Sequence, residues 1–253
     1  MIVTYSNYAT AGNCTVAASS TAAGSSASNL LHPQKEKVWL SSSASDETLT
    51  FSFGSAVTIS AYSLINSNGQ STNFNVRLYG NTSDSWGSPA YSDPEADVGP
   101  GNSFYQISTP NSSYQFWRVK FIRQVGTPQL QIGCIMLGQY LTLPTPSYSG
   151  YQDAIVDPSR HVKSAGGQTY SEILPTYKTF RVDWQFLTTT QKNTFQTFVN
   201  DVGTSKPFLC QVMPSTELNE WIYVRLTKPP QFEAVGYDTS IRWNTSLEFE
   251  ELL

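Results

Sequence analysis

Two histidines, three cysteines and a few acidic clusters are the groups in this 253-residue chain best suited to chemistry, and their spacing does not favour it. His32 and His161 have no second histidine or carboxylate at ligand spacing, which argues against a metal site. Cys14, Cys134 and Cys210 are far apart, odd in number and free of C-x-x-C spacing, which argues against a disulfide framework. Cys134 and Cys210 lie in apolar runs, where a thiol packs as a small hydrophobe. The acidic run DPEAD (93–97) lacks the spacing of a Ca²⁺ loop and reads as solvated loop charge. Glu248 and Glu250 alternate outward on a strand, as on a wet sheet face, with Glu251 beside them. No G-x-S-x-G elbow or glycine-rich phosphate loop is present. The expectation is a protein that is not an enzyme and needs no cofactor.

What remains is suited to contact. Trp86 and Tyr91 fall in the polar stretch NTSDSWGSPAYSDPEADVGPGNS (81–103), where a flat aromatic ring can stack on a sugar. Arg181, Asp183, Arg225, Arg242 and Glu248 alternate outward on predicted strands. Guanidinium pairs bidentately with carboxylate, so these five are candidates for a protein–protein interface.

The elements that would position these residues are mostly strands. Charged residues make up 13% of the chain and aromatics 13%, with a formal net charge of -4. That balance suits short strands joined by polar turns and leaves no basic footprint for nucleic acid or an anionic membrane. The start, MIVTYSNYAT, has no basic and apolar leader, and no run reaches the length of a membrane helix. Sequons at Asn13, Asn81, Asn111 and Asn244 carry little meaning without a secretory signal.

Residues 1–143 read as strands and turns only. In FWRVKFI (116–122), Trp117, Val119 and Phe121 point one way and Arg118 and Lys120 the other, a period of two. Leu49, Phe51 and Phe53 share a face in TLTFSFG (48–54), as do Phe74, Val76 and Leu78 in FNVRLYG (74–80). ISAYSLI (59–65) repeats the habit. Pro144 and Pro146 then break the pattern, and 144–150 reads as a linker.

The pattern differs over 151–253. In YKTFRVDWQFL (177–187), Phe180, Val182, Trp184 and Phe186 are expected on one face. A helix follows, with Thr188 and Gln191 as a capping box, Phe195, Phe198, Val199 and Val202 on its apolar face, and Gly203 at its end. Strands are predicted over 206–213, 221–229 and 239–252, with Ile241, Trp243, Thr245, Leu247 and Phe249 sharing a face in the last. The fold class is mainly β: a jelly-roll β-sandwich, then a sheet system of sandwich or barrel type with one packed α-helix.

The first segment resembles the discoidin, or F5/8 type C, galactose-binding-like family over roughly 15–143. Asn29, Leu30, Trp39 and Ser41 match its early loop; Phe51, Phe53 and Gly54 match a strand; Trp117, Arg118, Ile132, Gly133 and Gly138 match its final pair. His32 stands where that family often has an Asp, so no bound Ca²⁺ is implied, and Trp39 reads as a packing residue. The second segment is similar to the tail-tube fold of long-tailed phages, notably distal and minor tail proteins. The similarity rests on FRVDWQFLTTTQKNTFQTFVNDVGTSKPF and on LEFEELL at the end. It implies a virion protein of the tail tip or baseplate, made in the host cytoplasm and not secreted. It also implies a cyclic oligomer, a hexamer by family habit, with tube, hub and fibre proteins as partners and DNA only as passing cargo. Residues 145–253 hold nine Lys/Arg against twelve Asp/Glu, an excess of acid compatible with DNA sliding past. The sandwich would serve baseplate contacts or host glycan. The alternative is a carbohydrate-binding module that partners a polysaccharide-active enzyme.

Overall fold

The computed structural model describes all residues except 43–44, 71–72, 110–111, 125–127, 148–149, 213–219 and 237–240. The sequon at Asn111, part of the expected linker, Met213 and the first two residues of the expected strand 239–252 lie outside the described residues.

Along the chain come β1 (Ile2–Thr4), β2 (Cys14–Ala18), β3 (Trp39–Leu40), β4 (Glu47–Ile59), β5 (Ala61–Ser67) and β6 (Phe74–Asn81). Then follow β7 (Tyr91–Ser92), β8 (Ala96–Asp97), β9 (Gly101–Gln106), β10 (Ser112–Arg123), β11 (Gln131–Ile132), β12 (Cys134–Gly138) and β13 (Tyr140–Thr142). The later strands are β14 (Tyr151–Val156), β15 (Arg160–Lys163), β16 (Thr169–Glu172) and β17 (Tyr177–Leu187). Helix α1 (Thr189–Val202) is followed by β18 (Phe208–Gln211), β19 (Trp221–Leu226), β20 (Phe232–Val235) and β21 (Arg242–Glu251). The protein is mainly β, with one α-helix among the described residues.

Its contacts divide it into two units, 4–141 and 1–3 with 142–253. The division falls at 141/142, two residues before the expected end of the first segment, and the first three residues go with the second unit. The stretch expected as a linker is held within that second unit. Trp184 Nε1 donates to the Pro144 carbonyl at 2.8 Å, and the Ser147 N–H donates to that of Asp183 at 3.0 Å.

The first unit is a β-sandwich. One sheet runs β2-β4-β10-β6-β7, with β8 on β6, and the other runs β12-β5-β9. The alternation at 116–122 has a simple cause. Trp117, Val119 and Phe121 enter the core beside Leu49, Phe51, Phe74, Val76 and Leu78, against Tyr62, Leu64, Ile135 and Leu137 from β5 and β12. Each such burial stabilises by roughly 1.5–3 kcal/mol. Trp39 is fully buried and donates its ring N–H to the Ser20 carbonyl at 3.2 Å, a packing role. The run IGCIMLG carries glycines because backbone passes close by. A Cβ on Gly133 would meet the Lys35 carbonyl, and one on Gly138 that of Ser6. Part of the polar stretch 81–103 is not loop, since it contains β7 and β8 and the start of β9.

In the second unit the sheet runs β1-β18-β19-β21-β17-β14, with β20 pairing β21. Thr188 and Gln191 form both halves of the capping box, and Gly203, at φ 53, closes the helix. Phe195, Phe198 and Val202 are buried, with Trp184 edge-on to Phe195 at 4.8 Å and Phe198 edge-on to Phe208 at 5.1 Å. Phe180 stacks on Phe249 at 5.4 Å in the same layer.

Two residues expected on buried faces are not there: Ile241, just before β21, is 53% exposed, and Phe186 is the other. The pairing of β17 with β21 slips between Trp184 and Leu187, Phe186 takes φ 58, and Leu187 enters the core in its place. Phe186 is left 63% exposed. The extra residue of a β-bulge reverses which side chain faces in.

Beyond β14, an edge strand, β15 and β16 pair only with each other, forming an arm at 157–173. All eight of their residues are exposed.

Candidate binding site

Trp86 is placed by the short loop after β6, which Asn81 Nδ2 ties by donating to the Ser85 carbonyl at 2.5 Å. Its ring N–H donates to Asp84 Oδ1 at 2.5 Å, and the Arg118 guanidinium lies 4.3 Å from its ring centre. Arg118 reaches outward from β10, where its Nε donates to Thr50 Oγ1 at 2.8 Å and its Nη2 lies 3.8 Å from Asp84. Burial lowers the Arg118 pKa, while Asp84 opposes that shift. Cation, ring and carboxylate are thus one stack on the outer face of the β4-β10-β6 sheet. Trp86 stays half-buried and the Asp84 side chain 60% exposed. An indole face flanked by a donor and an acceptor is suited to a sugar ring, whose apolar face stacks and whose hydroxyls bond at the edges.

Tyr91 does not join it. Its strand turns it inward to 8% exposure, edge-on to Trp117 at 6.0 Å, and its hydroxyl donates to Asp93 Oδ1 at 2.8 Å. Buried this way it has no free ring face, and the placement corrects the expectation of a loop aromatic. Burial raises its pKa.

The acids of DPEAD have structural partners. Asp93 also accepts the Ser108 N–H at 2.9 Å, and Glu95 accepts from Asn75 Nδ2 at 2.6 Å and sits 3.8 Å from Arg77. Among the described residues no three His, Cys, Asp or Glu side chains are grouped to hold a metal ion. The three cysteines are buried and free, and burial pushes the Cys14 thiol up to about 11 and that of Cys210 further. One buried carboxylate carried no sequence signal. Glu47 is fully buried and accepts from Ser19 Oγ at 2.5 Å and Ser20 Oγ at 2.6 Å, pinning the segment after β2.

Three of the five interface candidates, Arg181, Asp183 and Glu248, meet one another on the outer side of the second unit's sheet, and Arg225 pairs there with Glu250. Arg181 lies 3.0 Å from Asp183 and 3.6 Å from Glu248, which also meets Lys228 at 2.8 Å, while Arg225 pairs with Glu250 at 2.7 Å. Arg242 stands apart and makes no ion pair among the described residues. The face is satisfied within its own chain. The unsatisfied surface of this unit lies elsewhere: Ile155, Val162, Tyr170 and Ile173 on β14 and the arm are exposed, Ile173 to 86%.

No protein-family model matches the chain, and no curated protein does. Among solved structures it is similar to the family 32 CBM from C. perfringens NanJ in complex with galactose, at 13% identity and a TM-score of 0.43 over 56% of this chain and 100% of that one. It is also similar to CpGH89CBM32-5 from Clostridium perfringens in complex with GalNAc-β-1,3-galactose, at 11% and 0.42 over 51% and 96%. A third is chitosan-binding module 1 of a chitosanase/glucanase from Paenibacillus sp. IK-5, at 19% and 0.45 over 53% and 98%.

Proposed function

We propose that this chain is a non-catalytic structural protein of the tail tip of a long-tailed phage, its second unit an assembly module and its first a peripheral sandwich. The observation that carries the reading is the arm. A ribbon of two strands with exposed Val162, Tyr170 and Ile173 is a surface that a lone protein rarely shows and an assembling one needs. The resemblance of 180–208 and 247–253 to tail-tube proteins supplies the particular assembly. DNA would be only passing cargo. Immunogold labelling of purified tailed particles from the source culture, with antibody to this chain, should mark the distal end of the tail. Particles that carry none of the chain would refute the reading.

A second reading, a carbohydrate-binding module beside a polysaccharide-active enzyme, is favoured by the Trp86–Arg118–Asp84 stack. Glycan binding at that stack is compatible with both readings. A chain found secreted with an enzyme and absent from particles would select the second.

A further inference from the structure

We propose that the outer face of the β4-β10-β6 sheet binds a linear acidic glycan, with one sugar on Trp86 and the anionic group of the next between Arg77 and Lys120. This rests on the reading of the Trp86 stack as a glycan contact, and it names the class of glycan that the stack takes.

The strand register lays out the face. Phe116, Arg118 and Lys120 point outward from β10, with Arg118 opposite Tyr79 and Lys120 opposite Arg77 on β6. On the other side, Thr50 and Thr48 of β4 lie opposite the same Arg118 and Lys120. Lys120 and Arg77 are thus like charges directly opposed, an arrangement that destabilises a sheet. Arg118 adds a third cation one row along, two residue steps or roughly 7 Å away.

Three acids stand at the rim, and each is engaged elsewhere. Glu95 accepts from Asn75 Nδ2 at 2.6 Å and stays 3.8 Å from Arg77. Asp84 accepts the Trp86 ring N–H and stays 3.8 Å from Arg118. Asp46 accepts the Arg123 N–H at 3.0 Å and shares itself with Lys120, also at 3.0 Å. Both guanidinium–acid distances exceed a hydrogen bond. Arg77 is the least satisfied of the three cations, since its Nε has no hydrogen-bond partner among the described residues.

Charge and spacing decide the occupant. The side chains of Arg77 and Lys120 are each 34% exposed, so an anion between them can bond to both and relieve their repulsion. Trp86 beside Arg118 and Tyr79 opposite it offer rings for the apolar face of a sugar. Rows about 7 Å apart suit successive sugars of one chain. The rim carboxylates repel a polyanion as dense as duplex DNA, with a charge every ~1.7 Å of its axis, and admit a chain with one anion per repeat.

The test is a glycan array carrying carboxylated, sulfated and phosphorylated chains, neutral chains and a short DNA duplex. It is probed with the full chain and with the Arg77→Gln/Lys120→Gln, Lys120→Gln and Trp86→Ala variants. Acidic chains should bind at least tenfold more tightly than neutral ones, and the three acidic arms identify the anion. The double variant should lose that preference together with the salt dependence of binding, while Trp86→Ala weakens every arm several-fold. Lys120→Gln alone relieves the like-charge pair, so it should cut acidic binding without lowering the melting temperature. A preference for neutral chains, or acidic binding untouched by the double variant, would overturn the inference and leave the stack as a neutral glycan contact. DNA held as tightly as the acidic chains would also overturn it. A chain that binds nothing on the array loses the glycan reading itself, and this inference with it.

Discussion

Trp86 and Tyr91 look alike in the sequence, two aromatics in one polar stretch, yet they occupy opposite environments. Trp86 is held at the surface by Arg118 and Asp84, whereas Tyr91 is a core residue bonded to Asp93. Substitution should therefore separate them. Trp86→Ala should leave the melting temperature almost unchanged and weaken glycan binding several-fold, since one stacked ring contributes about 1 kcal/mol. Tyr91→Ala should instead destabilise by about 3–5 kcal/mol, as loss of a buried aromatic does. Thermal melts together with a glycan-array titration would measure both. Equal loss of stability in the two variants would remove Trp86 as a surface residue. The polar neighbours of Tyr91 hid its burial, because a short strand of two residues leaves no alternation to read.

At the scale of elements, the bulge in β17 makes the sharpest case. Gly at position 186 takes a positive φ without penalty. Phe186→Gly is expected to leave the fold as stable as before or to raise stability by about 1 kcal/mol. Chemical denaturation would show it, and a clear loss of stability would mean that Phe186 packs within its own unit. The sequence made much of the fold readable. Trp117, Val119 and Phe121 announce a buried face by period two, and Thr188, Gln191, Phe195 and Phe198 announce a capped amphipathic helix. Phe186 defeats that logic because a bulge is a backbone event, and the side chain it expels is as apolar as its neighbours. The arm escapes for another reason. Its strands have no buried face within the chain, so RHVK and TYSE show no contrast between inside and outside. The Trp86 stack was half legible: the ring stood out, but Arg118 lies 32 positions away and meets it only through the fold.

On the scale of the whole molecule, the second unit is discontinuous: Met1 and Val3 are buried within it, while residues 4–141 form the sandwich. The sandwich is thus a guest inserted into a host after the host's first strand. Its ends lie together, since the Tyr5 N–H donates to the Gln139 carbonyl at 3.1 Å, and the host's flanks do as well, with the Leu143 N–H donating to the Met1 carbonyl at 2.9 Å. Replacing 4–141 by a short Gly-Asn turn should therefore give a host that still melts cooperatively and keeps its helix by circular dichroism. Failure to fold would mean that the division is wrongly drawn. The arrangement also sets an order of events during synthesis. The host's first strand leaves the ribosome early, but β18, its neighbour in the sheet, follows only after the whole guest and the helix. Domains generally fold as units as they emerge, so the guest forms first and the host last. A truncated nascent chain would present a finished sandwich on an unclosed host, and only a chain read through to its final strand could complete the sheet in which that strand lies between β19 and β17.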